Sequence, residues 1–139
     1  MELVWGTCVA IDGRGVLLRG PSGSGKSDLA LRVIDAGGRL VADDQTRLAR
    51  EGSTLVAAAP DVISGQIEIR GIGIVPVDSV PRAPLVLVVD MVPVDQVERA
   101  PDPGSCEYLG LAVPLLGLAP FEASAPIKLR LALTSIASI

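Results

Sequence analysis

Apolar residues occur in short runs, and a charge, proline or glycine ends each run within a few positions. Residues 7–11 (Thr-Cys-Val-Ala-Ile) and 16–18 (Val-Leu-Leu) are joined by Asp12-Gly13-Arg14-Gly15. Asp-Gly between two apolar runs predicts a tight hairpin, because such a turn needs residues that accept positive φ. The second run leads straight into Gly20-Pro21-Ser22-Gly23-Ser24-Gly25-Lys26-Ser27. Residues 28–36 then set Leu29, Leu31, Val33 and Ile34 among good helix formers, and Gly37-Gly38 follows. That pattern predicts a helix with a glycine stop. Leu40-Val41-Ala42 reads as a short buried strand that ends in Asp43-Asp44.

From Gln45 to Val77 the pattern is β-rich, with short runs at 47–48, 54–58, 66–70 and 73–75. Gly52, Pro60, Gly65, Gly71 and Pro76 punctuate it. Residues 85–89 (Leu-Val-Leu-Val-Val) are continuous and β-branched, as expected of a strand covered on both faces. A short helix is expected over 95–99, and a loop at Pro101, Pro103 and Gly104. Irregular or short-stranded chain is expected from 110 to 120, and a helix from 127 to about 137. No internal repeat, linker or second core is visible, so residues 1–139 read as one α/β domain.

Composition narrows the classes of function. Hydrophobic residues make up 49% of the 139, enough for a proper core and too many for a disordered chain. No apolar stretch approaches the roughly 18 residues that a membrane span requires. Residues 1–6 carry neither a basic nor a long apolar region of the secretory kind, so a cytoplasmic protein off the membrane is expected. Lys and Arg total 12 against 16 Asp and Glu, a net charge of −4. With no basic block and only Trp5, Tyr108 and Phe121 as aromatics, a nucleic-acid partner is not expected. Histidine is absent, which excludes a Ser-His-Asp triad, a His-ligated zinc and a His base. Cys8 and Cys106, far apart and outside any CxxC spacing, read as reduced, buried small hydrophobes.

Gly20-x-x-x-x-Gly25-Lys26-Ser27 matches the P-loop pattern between a predicted strand and a predicted helix, the context this motif requires. The glycines let backbone N–H groups of Ser22, Gly23, Ser24 and Gly25 converge on phosphate oxygens, and the helix N-terminus adds positive potential. Lys26 supplies a mobile positive charge at the terminal phosphates, and Ser27 offers a hydroxyl to Mg²⁺. A P-loop by itself does not name a reaction.

Asp43-Asp44 ends the strand after that helix, where two carboxylates can divide labour. One can accept the proton of an attacking hydroxyl while the other supports Mg²⁺. Asp90, which ends the apolar run 85–89, is a rival for the metal. Glu68 and Arg70 alternate with Ile67 and Ile69, so they share one strand face. They suit either an exposed ion pair or a site with Glu68 toward metal and Arg70 toward phosphate or substrate. Gly71-x-Gly73 is not a dinucleotide motif, because Pro76 replaces the third glycine and no helix follows.

Residues 20–27, Leu40-Val41-Ala42-Asp43-Asp44 and Gln66-Ile67-Glu68-Ile69-Arg70-Gly71-Ile72-Gly73-Ile74 together resemble the HPr kinase/phosphorylases. The last segment is similar to the family signature and far more specific than the P-loop. The resemblance runs from about Trp5 to Val89 and fades beyond; the chain is similar to a short α-proteobacterial form comprising only the catalytic domain. It implies a P-loop kinase fold of the phosphoenolpyruvate carboxykinase-like type, with a mixed sheet and a hairpin leading into the P-loop. It implies ATP- and Mg²⁺-dependent phosphorylation of a serine of the phosphocarrier protein HPr, and in many members the reverse phosphorolysis. Lys26 and the loop backbone would hold phosphates, Asp43 would be the general base, and Ser27, Asp44 and Glu68 would support the metal. Arg70 is a candidate toward substrate, as is Lys128 or Arg130 near the C-terminus. A homo-oligomer, commonly a hexamer, is implied as well.

Trp5 stands where the family places a histidine, and an indole cannot accept or shuttle a proton. Two readings therefore stay open: a serine kinase in which the histidine only tunes Asp43, and a regulatory nucleotide-binding module with little or no transfer. A small-molecule kinase is a third, for which a larger active-site lid is hard to find in 139 residues.

Overall fold

A computed structural model of the chain describes residues 1–60 and 64–136. The Asp12-Gly13 pair turns the chain as expected, with φ of 52° and 76°. It joins β2 (Thr7–Ile11) to β3 (Arg14–Arg19), which pair antiparallel with Ile11 opposite Arg14. Helix α1 (Lys26–Asp35) follows, then β4 (Arg39–Ala42), which pairs with the other side of β2. Before the hairpin lies β1 (Glu2–Trp5), an edge strand on β5 (Gln45–Glu51). β6 (Thr54–Ala58) continues that antiparallel meander. A separate hairpin, β7 (Gln66–Ile69) and β8 (Gly73–Pro76), leaves the main sheet. β9 (Arg82–Met91), β10 (Gly104–Tyr108), β11 (Leu111–Leu118) and α2 (Ala125–Ile136) complete the described order.

β9 is the branch point. One of its edges pairs parallel with β3 from Leu85 to Asp90. Its other edge is shared: Arg82–Pro84 pair antiparallel with β6, and Val88–Met91 pair parallel with β11. The order β1-β5-β6-β9-β3-β2-β4 thus forks at β9, and the sheet is mixed. An irregularity opposite Gly15 and Val16 resets the alternation along β9. Leu85 and Val88 consequently fall on one face, while Leu87 and Val89 fall on the other. This is why the run is apolar at every position.

The two faces carry two cores. On one, Val16, Leu18, Leu87 and Val89 pack beneath Leu29 and Val33 of α1 and Leu129 and Leu133 of α2. Those helical pairs are four apart, one stripe on each helix. On the other face, Leu17, Leu48, Leu85 and Val88 pack within the fork of the sheet, with no helix above them among the described residues. Helix α1 stops at the glycines: Gly37 N–H and Gly38 N–H donate to the carbonyls of Ile34 and Val33 at 3.0 and 2.9 Å.

Some expectations change. The stretch 110–120, expected as irregular or short-stranded, is an eight-residue strand, β11, over most of its length. Pro114 masks it in the sequence, but lies just before Leu115–Leu118, the part paired with β9, so its missing N–H interrupts no bond there. The helix expected over 95–99 is a single 3-10 turn, Val94–Gln96. The strand over 66–70 ends at Ile69, which leaves Arg70 in the turn. Helix α2 begins at Ala125, earlier than expected, with Pro126 in its first turn where no backbone N–H is required. Ala137 lies outside the described residues. β1 and β10 were not anticipated. Cys8 is fully buried, whereas Cys106 is only half-buried.

Candidate active site

The P-loop spans the gap between β3 and α1. Gly25, the residue before the helix, has φ of 104°, a conformation that side chains disfavour. A Cβ there would also lie 2.8 Å from Pro120 Cγ and 3.0 Å from Phe121 Cζ. Only glycine satisfies both the bend and the close approach. Ser24 N–H donates to the Pro21 carbonyl at 3.0 Å and tightens the loop. Lys26 Nζ folds back on the same loop and donates to the carbonyls of Gly20 and of Pro21, the latter at 3.0 Å. Its charge is opposed by no carboxylate among these contacts, so it is available to phosphate.

Asp43 sits at the end of β4, 9% exposed. Its Oδ1 accepts from Thr7 Oγ1 and from Ser27 Oγ, both at 3.1 Å. Its Oδ2 accepts from the Glu68 backbone N–H at 3.0 Å. One carboxylate therefore ties together β2, the P-loop and β7. A carboxylate has about four acceptor positions, so three donors fix its orientation and leave one position free. Asp44 is exposed, with φ of 66°. That left-handed turn is secured by two bonds: Asp44 N–H to Thr7 Oγ1 at 3.2 Å, and Gly6 N–H to the Asp44 carbonyl at 2.8 Å. Thr7, fully buried, thus orients both aspartates.

These groups open onto a cavity of about 460 Å³. Ser22, Gly23, Gly25, Lys26 and Ser27 form one wall; Asp43, Asp44, Glu68 and Arg70 form another. Gly20 and Ser24 belong to the loop without lining this cavity. Lys128 and Arg130 lie on α2 and do not line it either. Lys128 pairs with Glu122 at 3.0 Å, and Arg130 donates to the Ala36 carbonyl at 2.6 Å, across the end of α1. Asp28, Leu31 and Phe121 also line the cavity and escaped the sequence reading. So did Thr7, although the single polar residue of run 7–11 was a usable signal.

Asp90 stands apart. The Arg19 guanidinium grips it in a fork, Nε to Oδ1 at 2.8 Å and an Nη to Oδ2 at 3.0 Å, while also donating to Tyr108 Oη at 3.0 Å. Asp90 in turn holds the Arg19 guanidinium more firmly protonated than usual. Asp90 does not line the cavity, so the rival metal position is occupied by an ion pair.

Among the described residues, no three His, Cys, Asp or Glu side chains gather closely enough to hold a metal by themselves. Mg²⁺ does not need such a cage, since it is commonly bound by one or two carboxylates, waters and the substrate's phosphates. Ser27, Asp44 and Glu68 place hard oxygen donors around one cavity next to the phosphate cradle, so the residues present fit the ion.

A glycine-rich loop between parallel-paired β3 and α1, a strand tip whose aspartate bonds the loop serine, and a mixed sheet approached through a hairpin define a P-loop kinase fold. Residues 1–96 match the family model of the HPr Serine kinase C-terminal domain, and the chain belongs to that family. It is 48% identical over 75 residues to the HPr kinase/phosphorylase of Limosilactobacillus reuteri (strain DSM 20016), covering 53% of this chain and 23% of that protein. With the HPr kinase/phosphorylase of Bacillus mycoides (strain KBAB4) it shares 49% over 73 residues, 52% of this chain and 24% of the relative. These matches span about a quarter of the length of the curated relatives. The solved structure of the Hpr(Ser) kinase/phosphatase from Coxiella burnetii superposes with a TM-score of 0.86 at 28% identity. That superposition covers 97% of this chain and 95% of the other.

Proposed function

We propose that the chain is a cytoplasmic protein serine kinase that transfers the γ-phosphate of Mg²⁺-ATP to a serine of HPr, the kinase direction being favoured over the reverse phosphorolysis. The observation that carries this reading is the position of Asp43, bonded to the P-loop serine on one oxygen and to β7 on the other. The relatives named HPr kinase/phosphorylase support the choice of acceptor.

Phosphoryl transfer asks the protein mainly for positioning and charge stabilisation. Lys26 leaves the Gly20 and Pro21 carbonyls and takes up the terminal phosphates, a charge-assisted contact that replaces neutral ones. Asp43 uses its remaining acceptor position to receive the proton of the serine hydroxyl, and returns it in the reverse direction. Thr7 and the Glu68 N–H hold that carboxylate steady throughout. Ser27, Asp44 and Glu68 would hold Mg²⁺, which when bound offsets phosphate charge. Arg70, exposed at the cavity edge, is suited to the incoming acceptor.

The test is phosphotransfer from γ-labelled ATP with Mg²⁺ to HPr and to its serine-to-alanine variant. Label on the wild-type acceptor alone is expected; label on neither overturns the kinase reading. A second reading, a nucleotide-binding module without transfer, is favoured by Trp5. Its indole is 70% exposed on β1, one residue before Gly6, which bonds the Asp44 carbonyl. Activity that emerges only in Trp5→His would select it.

A further inference from the structure

Large apolar side chains stand exposed beside each of the two aspartates. On β1, Leu3 and Trp5 alternate with Val4, which is buried in a core, so they share the outward face of that strand. Trp5 pairs with Gln45, the residue after Asp44. On the β7–β8 hairpin, Ile67 and Val75 lie opposite each other and face the core. The next pair, Glu68 and Ile74, therefore faces outward, with Glu68 lining the cavity and Ile74 66% exposed beside it. Ile72 is exposed at the tip, between two glycines at which an added Cβ would meet nothing within 4 Å. From this arrangement we infer that Trp5 and Ile74 are specificity-determining contacts for the protein acceptor, gripping apolar residues on either side of the serine that enters the cavity. The inference rests on the kinase reading above and deepens it by naming the kind of acceptor the site takes.

The short reach of serine argues for the occupant. Its hydroxyl is one carbon from the backbone, and proton transfer requires that hydroxyl within about 3 Å of the Asp43 carboxylate. The acceptor's backbone must therefore come down to the mouth of the cavity. The residues next to its serine then land on whatever surrounds Asp43 and Asp44. Strand pairing sets the indole beside Asp44, and the bond from Glu68 N–H sets the Glu68–Ile74 pair beside Asp43. Both side chains lie in water in the free chain, and contact with an apolar partner removes that surface from it. Tryptophan is among the residues that most often carry the binding energy of a protein contact. Trp5 stands where the family resemblance places a histidine, so what this chain loses in proton chemistry at that position it gains in apolar contact area. The acceptor that fits such a mouth has large apolar residues, not charged ones, flanking its serine.

The experiment is steady-state transfer from γ-labelled ATP to HPr by the full chain, by Trp5→Ser, Trp5→Leu and Ile74→Ser, and by the double serine variant. Urea unfolding and sedimentation accompany each. Both positions are exposed, so the urea midpoints are expected to stay at the parent value. Each serine variant is expected to raise KM for HPr ~10-fold, and the double variant ~100-fold. The turnover number and KM for ATP are expected to stay within ~3-fold of the parent. Trp5→Leu, which keeps an apolar surface, is expected to keep most of the affinity for HPr. An unchanged KM for HPr in the serine variants overturns the inference, as does a loss confined to turnover. Trp5→Leu as damaging as Trp5→Ser overturns the apolar character of the contact. Self-association of the parent that the serine variants abolish, with KM unchanged, assigns these side chains to a second copy of the chain instead. No transfer by the parent would remove the kinase reading, and this inference with it, whereas transfer with KM unchanged removes the inference alone.

Discussion

Asp43 and Asp90 have the same local history. Each ends an apolar strand, and each stands where a phosphate enzyme would put a carboxylate. Their neighbours make them different objects. Asp43 receives only neutral donors, two hydroxyls and a backbone N–H, and faces a cavity. Asp90 is forked by a guanidinium and does not line that cavity. The cations differ in parallel: Arg19 is committed to Asp90, whereas Lys26 rests on carbonyls it can leave. A strand-end carboxylate is available to chemistry when no fixed cation neutralises it, and the apolar run before it does not report that.

The largest effect expected from this contrast is in Asp43→Asn, which should lower phosphotransfer to HPr ~10³-fold with nucleotide affinity within ~3-fold of the parent. Asp90→Asn should leave transfer unchanged; an equal loss in both would break the comparison. Lys26→Ala comes next, with nucleotide binding weakened ~10- to 100-fold by calorimetry, the scale of a charged hydrogen bond. Thr7→Val keeps the shape but removes a donor from Asp43 and an acceptor from the Asp44 N–H. Transfer should fall ~10-fold and urea stability by about 1–2 kcal/mol, since the Asp44 bond is lost as well. Asp90→Ala should cost about 1 kcal/mol in urea, a modest figure because both partners are partly exposed, at 28% and 39%.

The smallest effect at neutral pH belongs to Cys8, opposite Ala42 in the strand pairing beneath Asp43. Burial pushes its thiol from 9.0 up to about 12. The unfolded chain loses this proton near 9, so the stability it contributes is full below pH 9 and is lost as pH rises toward 12. Unfolding followed from pH 8 to 11 should show that decline in the parent and a shallower one in Cys8→Ala.

The hairpin, the P-loop, α1 and the strand ending at Asp43 were legible because local chemistry dictates them: Asp-Gly turns, glycine stops and a phosphate nest need particular residues at particular spacings. β1 and β10 were not, and β11 only as one of two alternatives, because their stability comes from distant partners. Leu115 to Leu118 form a strand by lying beside Val88 to Met91, and nothing local in Pro114-Leu115-Leu116-Gly117 requires it. The fate of Asp90 was hidden for the same reason, since Arg19 precedes it by 71 residues. Thr7 was visible as a polar residue in an apolar run, but its two aspartate contacts depend on β4 returning beside β2.

The branch at β9 bears on the order in which the protein matures on the ribosome. The strand that feeds the phosphate loop has β2 on one side from the start, while its other side waits for residues 85–90. Just before them, Arg82–Pro84 fasten β6, and Val88–Met91 later receive β11, so β9 is shared by three seams. A nascent chain halted before Leu85 carries the whole P-loop motif and lacks its second flank. The second flank of the strand that feeds the P-loop therefore arrives abruptly, with the emergence of one strand, and not gradually with the length of chain made.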